Sequence, residues 1–232
     1  MTKEEKSQLR KKWRRWLTII GNDLSSLLIS QDIFKEIQKI IAANKKIQSP
    51  DLFYRWMKVN YAARMAVGIR RLVQPSNLSD KKKMVISLHR LIKDISQQRD
   101  AIDRDCYVRG YQLRDAGIAN EDFDTFTDNS RDTLISKSKL NKDMVRLKEE
   151  TKRIKIFRDK WIAHRGLRNV KGTIKRLPTF KDVDNALNLI DEILDKYTLL
   201  LTRSSLTTRK PIHQYDWKEP LRHAWIESDP KE

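Results

Sequence analysis

The sequence predicts an all-α protein, an up-and-down bundle of about five to six main helices. Three observations carry that prediction. Apolar residues recur at steps of three and four along most of the chain. Glycine and proline number only six each in 232 residues, which leaves room for long regular elements. No alternating strand pattern of useful length occurs, and neither do tandem repeats or glycine-rich phosphate loops.

Each element can be justified in order. Residues 4–29 read as an amphipathic helix with Leu9, Trp13, Trp16, Leu17, Ile20, Leu24, Leu27 and Leu28 on its apolar stripe. Ser30-Gln31-Asp32 offers a cap, and Ile33, Ile37, Ile40 and Ile41 form a second stripe to about residue 46. Pro50-Asp51 opens a third helix through Phe53, Trp56, Met57, Tyr61, Met65, Ile69 and Leu72, which stops near Pro75. Ser79-Asp80 caps a fourth, with Met84, Leu88, Leu91, Ile92 and Ile95 inward. Trp13, Trp16 and Trp56 lie on apolar stripes and are expected in the core.

Residues 100–132 hold nine acids against four arginines, a local charge near −5. Short helices are expected there, as an acidic insertion spanning 100–140. A long helix follows from Asn141 to about Arg165, with Val145, Leu147, Ile154, Ile156, Phe157, Trp161 and Ile162 apolar. Gly166 and Gly172 mark its end. Thr179 to Asp182 is a capping-box variant that opens the last strong helix, through Val183, Leu187, Ile190, Ile193, Leu194, Tyr197 and Leu201. The expected division is a helical domain over 1–202 and a C-terminal tail over 203–232 that packs on the body.

The formal net charge is +18, from 49 basic and 31 acidic residues. Such an excess repels itself unless a polyanion is near, and nucleic acid is the commonest such partner. Between Lys139 and Arg176 there are 14 basic and 4 acidic residues, so more than half of the surplus lies in one segment. The one cysteine, Cys106, forms no intrachain disulfide and has no neighbouring His to activate it. No Cys/His cluster suggests a metal. No run reaches the roughly 18 apolar residues of a membrane span, and the chain is expected to be cytoplasmic.

Histidine is the side chain best suited to proton transfer at neutral pH. Of His89, His164, His213 and His223, His164 stands six residues after Arg158. Between them stand the polar Asp159, then Lys160, Trp161, Ile162 and Ala163. His89, His213 and His223 carry no usable pattern.

The string Phe157-Arg158-Asp159-Lys160-Trp161-Ile162-Ala163-His164-Arg165 resembles the HEPN superfamily, whose members carry Arg, a polar residue, a short spacer and His on a late helix of a four- to five-helix bundle. It is similar to the abortive-infection, AbiU-type branch. Gly68-Ile69-Arg70-Arg71-Leu72-Val73 and Ser87-Leu88-His89-Arg90-Leu91-Ile92 resemble that branch's helix pair. The resemblance implies a metal-independent RNA endonuclease, without a cofactor, in antiphage defence or a toxin system. His164 is then the general acid or base for attack of a ribose 2′-OH on the adjacent phosphate. Arg158 stabilises the phosphate's charge, and Asp159 orients the site. Products are a 2′,3′-cyclic phosphate and a 5′-OH. Lys160, Arg165, Arg168, Arg153, Lys155, Arg70 and Arg71 are the expected RNA contacts.

A six-residue helical offset sets Arg158 and His164 about 120° apart, so a homodimer in which two motifs share a cleft is expected. Some relatives carry a Tyr two residues after the His, which an antitoxin modifies. Here that position is Gly166, so any antitoxin or regulatory protein acts otherwise.

Overall fold

The computed structural model describes residues 1–48, 52–75, 85–111, 116–162, 178–204, 209 and 215–223, with the side chains of Lys160 and Trp161 left aside. Among these residues there are eight α-helices and no strand, apart from one isolated bridge between Asp103 and Leu134. Five helices are long: α1 (Lys3–Ala43), α2 (Leu52–Val73), α3 (Leu88–Gln97), α6 (Lys137–Glu150) and α8 (Phe180–Thr202). Three are short: α4 (Arg104–Arg109), α5 (Ala116–Asp124) and α7 (Lys152–Phe157).

The first two expected helices are one. α1 runs unbroken for 41 residues, about 60 Å. Thr2 caps it in a reciprocal box with Glu5. Gly21 does not break it, and a Cβ there would meet open space. Ser30 does not cap a new helix; its hydroxyl donates to the Ser26 carbonyl at 2.9 Å. Gln31 is held to α8 by its amide, 2.6 Å from Asp184 Oδ1. Phe34 stacks on Tyr61 of α2 with ring centroids 3.9 Å apart. Tertiary contacts thus carry the helix through a sequence that offers a stop.

α1 is the spine, packed along both α2 and α8. Trp13, Ile20, Leu24 and Leu27 of α1 meet Met65, Ile69 and Leu72 of α2 and Leu187, Ile190 and Leu194 of α8 in one core. Gly68 permits the approach of α1 and α2, since a Cβ there would lie 2.5 Å from Leu27 Cδ2. α8 begins as expected, with Thr179 and Asp182 in a capping box. Its seven expected apolar positions are all buried.

Ser79-Asp80, the cap expected for the fourth helix, lies outside the described residues. The helix described there, α3, starts at Leu88. Ser87 Oγ accepts from Arg90 N and donates to Gln74 O at 2.6 Å, tying the start of α3 to the end of α2. In the acidic segment, Tyr107 of α4, Phe123 of α5 and Phe126 in the turn after α5 join the common core.

Two burial expectations are corrected. Trp13 and Trp16 are buried, but Trp56 is 61% exposed and stacks on Phe53 at the solvent-facing start of α2. Val145 is also exposed. Periodicity alone assigned these residues to a face, and the neighbouring helices do not cover that part of it. No described helix is long and apolar enough to cross a membrane.

Candidate active site

The long helix expected from Asn141 is broken and starts earlier. Ser136 caps α6, accepting from Lys139 N. At Thr151 the backbone takes φ −91° and ψ 0°, and the hydroxyl donates to the Leu147 carbonyl at 2.7 Å. α7 resumes at Lys152, and Arg158–Ile162 then forms a single π-helical turn. Such turns are uncommon and recur at functional sites, because they widen the helix and re-aim the side chains they carry. The first two motif residues, Arg158 and Asp159, sit at its start.

The Arg158 guanidinium forms an ion pair with the Asp159 carboxylate. The Arg158 side chain is 24% exposed, and its Nε is buried without a partner. α7 and the π turn pack against α2. Arg70, near the end of α2, lies within electrostatic reach of both Arg158 and Asp159. Burial, and then the charge of Arg158, pull the Arg70 guanidinium below the ordinary arginine value, while Asp159 opposes them.

Beside this pair is a small recess of about 70 Å³ between α2, α3 and the α6–α7 junction. Arg70, His89, Lys148 and Lys155 supply its polar wall, and Ile69 and Ile154 part of its apolar wall. Arg70 Nε and His89 Nδ1 are buried without hydrogen-bond partners among the described residues, as is Arg158 Nε nearby. A buried donor left unpaired costs about 1–3 kcal/mol, so three in one region need an explanation. Burial, then Lys93, hold the His89 imidazole below its ordinary value, so it is neutral at pH 7.

The expected RNA contacts divide. Lys155 and Arg70 line the recess. Arg71 points elsewhere and pairs with Asp23 at 2.6 Å. Arg153 pairs with Asp182 at 3.1 Å. His164, Arg165 and Arg168, with the side chain of Lys160, lie outside the described residues, as do Gly166, Gly172 and His213. His89 and Lys148 were not among the expected site residues. The available signal was the Ser87–Ile92 string, whose place beside Arg70 only the packing of α3 on α2 reveals. Among the described residues, no group of three or more His, Cys, Asp or Glu could hold a metal ion.

The sequence profile of one family, AbiU2 of the HEPN superfamily, matches residues 10–219. No curated protein and no solved structure matches the chain. That match covers most of the chain and includes α2, α3, α7 and the Arg158–His164 string: this protein belongs to the AbiU2 family, the abortive-infection branch of the HEPN superfamily.

Proposed function

We propose that this protein is a metal-independent RNA endonuclease of abortive infection or of a toxin system. The observation that carries the reading is the placement of Arg158 and Asp159. They start a π turn within electrostatic reach of Arg70, which lines a recess walled by further cations. Guanidinium groups match phosphate oxygens, and a partly buried one acts more strongly than one in water.

In this reading His164 accepts the proton of a ribose 2′-OH. The 2′-oxygen bonds to the adjacent phosphorus, the bond from phosphorus to the 5′-oxygen breaks, and that oxygen leaves protonated. Arg158 binds the phosphate as charge builds on its oxygens. Asp159 holds the Arg158 guanidinium until RNA competes for it. A second copy of the chain completes the site with the partner's His164, which protonates the leaving 5′-oxygen. The partners are RNA, a second subunit and a regulatory protein or antitoxin, and the location is the cytoplasm. Residues 1–202 act as one helical domain with 100–140 as its acidic insertion, and 203–232 as a tail on the body. The 2.9 Å pair between Lys218 and Glu36 of α1, and Arg209 beside Asp191 of α8, support that docking.

The test is cleavage of end-labelled RNA in EDTA. Wild type yields 2′,3′-cyclic phosphate ends, and His164→Ala and Arg158→Ala do not. Undiminished cutting by both variants rejects the reading. RNA binding without products from wild type favours the rival, a catalytically silent RNA- or nucleotide-binding module.

A further inference from the structure

The recess beside Arg158 has features of a built site rather than a packing gap. Among the described residues its polar wall is cationic or neutral: Arg70 from α2, His89 from α3, Lys148 from α6 and Lys155 from α7, with Thr151 at the α6–α7 junction. Among the described residues, no carboxylate lines it. Elsewhere cations are drawn to acids: Lys12 to Asp94, Lys35 to Asp184, Arg104 to Asp124 and Lys196 to Asp143. Here they converge from four elements with no acid among the described lining residues. Asp159, a carboxylate in electrostatic reach of Arg70, is engaged by Arg158.

Like charges are not held together in a folded chain without return. The buried, unpartnered Nε of Arg70 and Nδ1 of His89 add two hydrogen-bonding atoms that an anion's oxygens would satisfy. Size selects the anion. Cavities of about 150 Å³ accept benzene. The present recess, about 70 Å³, suits a five-atom tetrahedral oxyanion and is too small for a base or sugar. An internal phosphodiester enters with a sugar on each side. A terminal phosphate enters alone, with its sugar left outside.

We propose that Arg70, His89, Lys148 and Lys155 bind a terminal phosphate monoester, distinct from the scissile phosphate at Arg158. The same chemistry is offered by the end of an RNA strand and by a free nucleotide. On an RNA end, the site would anchor the strand beside the catalytic motif; that use rests on the nuclease reading, whereas the phosphate site does not.

The experiment uses the full chain and inorganic phosphate. Calorimetric titration at constant ionic strength is expected to give saturable binding that chloride does not reproduce. Arg70→Gln and Lys155→Gln should each weaken it by about tenfold. Arg71→Gln, the same charge change one residue along α2, should not. Lys148→Gln, at an exposed side chain, repeats the test should Arg70→Gln lower the thermal midpoint. In a second arm, a short RNA with a 5′- or 3′-phosphate is compared with its hydroxyl-ended form and with AMP. Tighter binding of the phosphorylated RNA, lost in Arg70→Gln, identifies an RNA end. Equal binding of AMP identifies a nucleotide. Absence of phosphate binding, equal weakening by Arg71→Gln, or no preference for any terminal phosphate overturns the proposal. Phosphate binding without RNA cleavage removes the nuclease reading alone, and cleavage without phosphate binding removes this one alone.

Discussion

Trp13, wholly buried in α1, donates its indole N–H to Asp94 Oδ2 of α3 at 2.6 Å. Lys12 reaches the same oxygen at 2.7 Å. The bond joins the spine to the helix that carries His89. Trp13→Phe removes the donor and leaves a void where the larger ring stood. A hydrogen bond to a charged group contributes about 1.5–3 kcal/mol, so the variant should lose at least about 2 kcal/mol. Urea denaturation measures this, as a lower midpoint with an unchanged slope. A midpoint equal to wild type would mean that this contact contributes nothing.

Asp159 offers a separation of binding from turnover. Its carboxylate neutralises Arg158 in the free protein. Asp159→Asn keeps the shape and removes the charge. RNA binding should tighten by a few-fold, since one repulsion is gone. Cleavage should fall by about tenfold or more, because the arginine loses the partner that orients it. Filter binding and single-turnover cleavage on the same preparation measure both. A parallel loss of both would show that Asp159 only supports the fold.

His89 makes acid sensitivity predictable in sign. Its folded pKa is depressed by burial and then by Lys93, while the unfolded value stays near 6.5. Between the two values the unfolded chain binds more protons, so stability falls as pH drops below about 6.5. His89→Gln should flatten that part of the stability profile. The other charged groups around the imidazole are Arg70, Lys93, Lys148 and Lys155. Sulfate, which stays dianionic, should bind more tightly as pH falls from about 7.5 to 6, because the anion favours the imidazolium. A pH-independent sulfate affinity would place the anion away from His89.

Much of this architecture was legible in the sequence, for local reasons. The α8 stripe and its Thr179–Asp182 box are written in adjacent residues, and the structure follows them. Arg158 and Asp159 were singled out because a motif is also local. What was not legible depends on contacts between distant segments. The break expected at Ser30-Gln31-Asp32 is overruled by Asp184, far along the chain. Trp56 looked like core because a stripe names a face but not its cover. The single helix expected through Thr151 is broken by a side chain that bonds back to Leu147. His89 carried no pattern of its own and gains its setting from Arg70, Lys148 and Lys155, each on another helix.

Salt dependence can rank the cations by whether acids already hold them. Each phosphate contact to single-stranded nucleic acid contributes about 0.7 to the slope of log affinity against log salt. Arg70 and Lys155 line the recess, and neither has a carboxylate there. Arg71 and Arg153 are paired with Asp23 and Asp182. An RNA phosphate must displace those carboxylates, and the freed acid then repels the strand. Gln substitutions at Arg70 and Lys155 should therefore lower the slope by about 0.7 each, and those at Arg71 and Arg153 by less. Fluorescence anisotropy of a labelled RNA across a salt series gives the four slopes. Equal changes at all four positions would mean that the strand follows the general positive field, and that the convergence of Arg70 and Lys155 has no role in holding it.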